Sequence, residues 1–259
     1  MHDADIVIRY GEYRQRQVTN TDSSKQIISQ KSALVSWFVS NCKPLFRRLY
    51  ANELSKHVKL DVFGNCSNVP DPCGADKASC SDEAAAVNCG MDKITCLRKL
   101  RAKYKFYLAF ENGFCTEYIT EKFWEALKLG NVPIAAGASI KDYEEAAPPN
   151  SFLHIDNFTS VEELGDYLKY LDSNPDVYKR YHAWRDKFEI KENAGWWWWD
   201  LPKDYGGPDG IWCKVCQKAH QLNGEKMERN NIWKSDTLCT NGRKQIDEHQ
   251  LKYKTTVNF

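Results

Sequence analysis

The stretch that most constrains the fold is residues 104–127, YKFYLAFENGFCTEYITEKFWEAL. Its first part, from Tyr104 to Phe110, is almost continuously apolar or aromatic and ends in the polar turn Glu111-Asn112-Gly113. A parallel strand covered on both faces reads this way. Its second part predicts a helix. Thr120 can cap it, Phe123, Trp124, Leu127 and Leu129 form an apolar face, and Gly130 can stop it. Val132-Pro133-Ile134-Ala135-Ala136-Gly137 then reads as another buried strand, so the unit is β-loop-α-β and the fold class α/β.

Ligands of such units bind beyond the carboxyl ends of the strands, where the next helix begins. The helix dipole favours acids in a first turn, yet Lys122 falls there, and an anionic ligand such as phosphate would account for it. Asn112 and Tyr118 flank the same loop and can contact a base, ribose or sugar, while Glu121 can accept hydrogen bonds from hydroxyls. The plainer alternative is that Glu121 and Lys122 are solvated charges and Tyr118 is packing.

Lys plus Arg number 36 against 35 Asp plus Glu, a net charge of +1, so no overall field recruits nucleic acid or a membrane surface. Any anion site must be local. The ten cysteines stand at 42, 66, 73, 80, 89, 96, 115, 213, 216 and 239, and five of them fall in the polar stretch 66–96. A disulfide-stapled insertion in an oxidising compartment is expected, with Cys66, Cys73, Cys80, Cys89 and Cys96 as candidates. Zinc is the competing account for Cys213-x-x-Cys216 with His220 nearby, but no second pair of that spacing accompanies it. Asn65-Cys66-Ser67 and Asn157-Phe158-Thr159 are N-glycosylation acceptors. No run is long and apolar enough to span a bilayer, and the first residues do not read as a signal peptide, so a secretory chain of this kind is expected to continue upstream.

In chain order, Asp5 to Gly11 reads as a short strand with a polar segment to Lys31. Residues 32–40 read as a strand, roughly Leu45 to His57 as a helix, and Val58 to Gly64 as a strand, a second βαβ unit. Arg47 and Arg48 lie in that helix's first turn, again a poor place for cations without an anion. The basic run from Arg98 to Lys103 reads as a solvated helix face. Ile140–Ala147 and Ser160–Leu171 read as helices around a strand at Ser151–Ile155, in which His154 is a structural histidine. A helix starts at Pro175, with Tyr178, Tyr181, Trp184 and Phe188 as packing residues. Trp196 to Trp199 reads as an exposed aromatic patch or a docking segment, and residues from about 221 to 259 as a poorly packed tail.

The central motif, with GNVPIAAGA, Asp142-Tyr143-Glu144, Ala147-Pro148, Ser151-Phe152 and FTSVEELGDYLKYL, closely resembles the donor-binding domain of the α-1,3-fucosyltransferases of glycosyltransferase family 10. The resemblance runs from about Asp5 to about Cys216. It implies a Rossmann-like donor domain of a GT-B enzyme over 32–192, with the cysteine-rich insertion at 66–96. Residues 1–31 would then be the end of an N-terminal acceptor domain and its linker, and 193–259 a Trp-rich segment, the CxxC and a polar tail. By the same resemblance Arg47, with Arg48 as the alternative, and Lys122 clamp the pyrophosphate of GDP-fucose, with Asn112, Tyr118 and Glu121 beside them, and Cys213 and Cys216 form disulfides.

Inverting transfer needs a site that stabilises departing GDP, an acceptor held opposite it, and a base for the acceptor hydroxyl. The family's general base is a glutamate of the N-terminal domain, expected upstream of Met1. Implied with it are α-1,3 transfer of fucose to N-acetylglucosamine of a glycoprotein N-glycan and no strict need for a divalent metal. So is a Golgi cisterna location through a type II anchor absent from this chain, and the insertion and IWCKVC fit invertebrate- or plant-type core enzymes. A catalytically inactive GDP-fucose binder is the alternative, and a secreted disulfide-rich lectin a third class.

Overall fold

The computed structural model describes residues 9–16, 23–66, 93–192, 216–218, 220–221 and 239–240. Its centre is a five-stranded, all-parallel sheet. In chain order the strands are β2 (Ala33–Phe38), β3 (Leu60–Phe63), β4 (Tyr104–Phe110), β6 (Val132–Ala136) and β7 (Leu153–His154). In space the order is β3-β2-β4-β6-β7. After β2 the chain first adds a strand on one side and then returns to add β4 on the other. The carboxyl ends of β2 and β4 therefore flank the point where the winding reverses, the usual crevice for ligands in an open α/β sheet.

The alternation along β4 explains why it is apolar throughout. Phe106, Leu108 and Phe110 enter the core beneath α2 (Leu45–Leu54) and α6 (Val161–Ser173), with Tyr178 of α7 (Pro175–Arg180). Tyr107 and Ala109 enter the opposite core beneath α4 (Glu121–Lys128) and α5 (Ile140–Ala146). Phe123 and Leu127 of α4 are fully buried there, each worth about 1.5–3 kcal/mol relative to exposure. Gly130 ends α4 as expected, at φ +77, with its N–H donating to Leu127 O at 3.1 Å.

Several expectations are corrected. The N-terminal strand is β1 (Gly11–Gln15), starting where the expected Asp5–Gly11 strand ends, with residues 1–8 outside the described residues. The segment after it contains α1 (Ser23–Ser29). β1 pairs antiparallel with β8 (Phe188–Glu192), so the helix from Pro175 is short and Phe188 belongs to a strand. The basic run is a solvated face only in part: Lys99 is exposed, but Arg101 is buried. All of it but Lys103 lies in α3 (Lys93–Ala102), where Arg101 is only 2% exposed. Arg101 Nη1 donates to Glu125 at 2.6 Å, and its guanidinium lies 3.4 Å from the Tyr107 ring centroid, so α4 supplies the counter-charge that permits burial.

The cysteines also depart from the expected set. Cys66 bonds to Cys42 in the loop after β2, and Cys96 is disulfide-bonded. Cys115 of β5 (Phe114–Cys115) bonds to Cys239 of β9 (Cys239–Thr240), and β5 and β9 pair antiparallel. Within the expected tail, Cys239 and Thr240 are thus paired to a strand, while 222–238 and 241–259 lie outside the described residues. Cys216 is an exposed free thiol rather than a disulfide partner. Cys73, Cys80, Cys89, Cys213 and Trp196–Trp199 lie outside the described residues. His154 is structural, as expected. Its Nδ1 accepts from the Asp156 N–H, which leaves Nε2 to donate to Ala138 O at 3.2 Å. Tyr178 and Trp184 are buried, as expected of packing residues.

Candidate functional site

The carboxyl end of β4 carries Glu111, whose side chain has no solvent exposure. Its Oε1 accepts from the Thr120 N–H at 2.8 Å, and Thr120 Oγ1 lies 2.8–2.9 Å from both carboxylate oxygens. Thr120 does hold the N-cap position of α4, but its hydroxyl serves Glu111 and makes no cap bond to the helix. Lys122 Nζ completes the cluster, donating to Glu111 Oε2 at 3.1 Å, to Glu121 Oε1 at 3.0 Å and to Thr120 Oγ1 at 2.8 Å. The out-of-place lysine thus has an anion inside the protein. Its side chain remains 18% exposed, whereas that of Glu111 is fully buried.

Electrostatics follow from that burial. Desolvation raises the Glu111 pKa, opposed by Lys122 and the Thr120 hydrogen bonds. Burial disfavours the Lys122 ammonium, but Glu111 and Glu121 outweigh it and hold its pKa above the ordinary lysine range. The ammonium is charged at neutral pH.

Around this core the loop 112–119 presents the remaining candidates. Asn112 is exposed and Tyr118 half-buried, the Tyr118 hydroxyl held above its usual pKa by burial and then by Glu111. Glu117 adopts φ +55, a left-handed conformation of the kind retained at ligand-handling loops. The disulfide at Cys115 fixes the start of that turn, where the Tyr118 N–H donates to Cys115 O at 3.3 Å.

Arg47 comes from the far side of the crevice. Its position next to Phe46 on the inner face of α2 leaves it only 3% exposed, and it donates to Phe110 O at 3.2 Å and Asn41 O at 2.6 Å. It braces the end of β4 against the loop that follows β2. Its Nε is buried with no hydrogen-bond partner, so the fork is not saturated. Burial lowers its pKa, and Glu111 opposes the shift. Arg48 is half-buried.

Three participants have no local signature. Glu111 reads in the sequence as a turn residue; an acid closing an otherwise apolar strand was the available signal. Tyr10 is 37% exposed and senses Glu121, Lys122 and Glu111, its pKa raised first by burial. The ribbon of β1 and β8 brings it there, with Gly11 so close to α4 that an added Cβ would lie 2.5 Å from Trp124. Gly137 gives Glu111 its room, since a Cβ there would lie 2.6 Å from the Glu111 Cβ. Among the described residues no group of His, Cys, Asp and Glu has metal-ligand geometry.

A family model described as glycosyltransferase family 10 (fucosyltransferase), C-terminal part, matches residues 28–235. Glycoprotein 3-alpha-L-fucosyltransferase A of Drosophila melanogaster is 34% identical over 249 residues, covering 92% of this chain and 42% of its own length. Alpha-(1,3)-fucosyltransferase 4 of Homo sapiens is 34% identical over 235 residues, covering 89% of this chain and 38% of its own. The chain thus spans less than half the length of these relatives. A crystal structure of an alpha1,3-fucosyltransferase with GDP-fucose matches with a TM-score of 0.50 at 18% identity, over 78% of this chain and 51% of that one, a likeness of fold. With the family model covering most of its length, this chain belongs to glycosyltransferase family 10, the fucosyltransferases.

Proposed function

We propose that this chain handles the donor in the inverting transfer of L-fucose from GDP-fucose, in α-1,3 linkage, to an N-acetylglucosamine of a glycoprotein glycan. Residues 32–192 would form the GDP-fucose-binding domain. The observation that carries this is the convergence of Lys122, Glu121 and Thr120 at the start of α4, beside the strand ends where the sheet order reverses. The names of the relatives supply the sugar and the linkage.

As the bond from the fucose anomeric carbon to the diphosphate breaks, negative charge grows on the phosphate oxygens. The Lys122 ammonium and the positive end of α4 lie where that charge would be stabilised. Arg47, with its unused buried Nε, is the second cation on the opposite wall. Asn112 and Tyr118 flank the loop as contacts for base and ribose, and Glu121 is an acceptor for sugar hydroxyls. With two side-chain cations to meet the charge, a divalent ion is not strictly required in this account.

A Golgi lumenal setting is part of the proposal, supported by the Cys42–Cys66 and Cys115–Cys239 disulfides. Asn65 and Asn157 are both exposed and are proposed as N-glycosylation sites.

The test is a calorimetric titration of the oxidised 259-residue chain with GDP and GDP-fucose, with a transfer assay on an N-glycan acceptor alongside. GDP binding that Lys122→Ala weakens about tenfold or more supports the donor site, since a charge-assisted hydrogen bond contributes about 1.5–3 kcal/mol. No binding by a folded chain overturns it.

A further inference from the structure

We propose that Glu111 is the resident counter-ion of a phosphate-binding lysine: an incoming diphosphate draws the Lys122 ammonium off the Glu111 carboxylate, which takes up one proton from solvent and stays buried as the neutral acid. This rests on the donor-site proposal above.

The geometry separates the two partners. Glu111 has no exposed side-chain surface, whereas Lys122 is 18% exposed, so Lys122 is the member a ligand can reach and Glu111 the one left behind. Glu111 is held in place by Thr120 through N–H and hydroxyl contacts at 2.8–2.9 Å and by the close approach of Gly137, and it cannot follow its partner outward. The same ammonium also bonds Glu121, which is partly exposed and can move with it.

Once Lys122 turns to phosphate, a buried carboxylate faces a diphosphate of two or three negative charges with its nearest cation diverted. An uncompensated buried charge is costly enough that such groups neutralise instead. Other ionisable groups in electrostatic reach of Glu111 are Glu121 on α4, Tyr118 on the loop, Tyr10 before β1, Tyr143 on α5 and Arg47 on α2. Arg47 is the only cation among these. Its guanidinium is already bonded to two carbonyls, and its charge is itself disfavoured by burial. The added proton belongs on Oε2, the oxygen Lys122 leaves, and Thr120 Oγ1 at 2.8 Å can accept its hydrogen bond. Oε1 keeps the Thr120 N–H. The balance is one proton consumed from solvent per diphosphate bound, with no covalent bond between heavy atoms made or broken.

The test is calorimetry of the whole chain with GDP at pH 7.5, in two buffers of different ionisation enthalpy. At that pH a terminal phosphate, with a pKa of about 6, is essentially ionised, and any proton it loses on binding would count with the opposite sign. Net uptake approaching one proton is expected, and GDP affinity should weaken by up to about tenfold per unit rise in pH. In Glu111→Gln the uptake should vanish and the affinity become flat with pH. A merely structural salt bridge would alter stability without consuming a proton. Binding with no uptake or with net release by the unaltered chain overturns the exchange while leaving the donor site standing. Absence of GDP binding overturns both. If Glu111→Gln does not fold, the proton count of the unaltered chain decides alone.

Discussion

Gly137 lies at φ +148, with Glu111 Cβ 2.6 Å from where its own Cβ would stand. Gly137→Ala therefore meets both a backbone region that L-residues rarely adopt and a clash with the Cβ and Cγ of Glu111. A loss of about 1–3 kcal/mol is expected, read from the urea midpoint. GDP affinity should fall with it, because displacing Glu111 shifts the resting position of the Lys122 ammonium bonded to it. His182 makes a pH-dependent contribution. Its buried ring accepts from Arg185 Nε through Nδ1 at 3.3 Å, and burial, then Arg185 and Lys31, lower its pKa well below the usual value. The unfolded chain gains a proton on this ring as pH falls through about 6.5, while the folded chain does not. The unfolded state then binds more protons, so stability falls as pH drops below that point. Denaturation between pH 7 and 5 should show this slope, and His182→Gln should lose His182's share of it.

Among elements, the contact between α3 and α4 sets where the site's helix begins. Arg101 donates to Glu125 and also to the Lys122 carbonyl at 2.9 Å, so α3 holds the first turn of α4 directly. Glu125→Ala would strand a buried guanidinium, and a loss of about 3–5 kcal/mol is expected. Arg98 also meets Glu125, but its side chain is 39% exposed, and Arg98→Ala should cost less than about 1 kcal/mol. Chemical denaturation of the two variants side by side checks the contrast; equal losses would mean that the buried pair has no special weight. The sequence suggested a solvated run here because four of the six residues 98–103 are basic except at Leu100 and Ala102, and nothing local marks Arg101 as the one facing Tyr107.

Across the whole molecule, the site depends on a residue far along the chain. Cys239 is bonded to Cys115 across a separation of 124 residues, at the foot of the loop that carries Tyr118. Closing so long a loop restricts the unfolded chain, and Cys239→Ser should lower stability by about 2–4 kcal/mol. It should also weaken GDP binding, because the loop loses its anchor on β9. Calorimetry and thermal denaturation of the variant under oxidising conditions test both effects. A variant that loses stability but binds GDP unchanged would show that the loop is positioned without the tail.

The strand and helix pattern of 104–137 was legible in the sequence because it depends on periodicity and punctuation within a few residues: apolar continuity for β4 and β6, a Gly stop for α4. Asn112, Tyr118, Glu121 and Lys122 were legible as a group for the same reason, since they share one loop and one helix start. Tertiary structure decided what those residues meet. The Cys42–Cys66 and Cys115–Cys239 pairings, the burial of Arg101 on Glu125, the bracing of the β4 end by Arg47 and the approach of Tyr10 all join segments distant in sequence. No local pattern encodes which charge is buried against which. That choice arises only when packing removes water and each buried charge must find its partner in the folded chain.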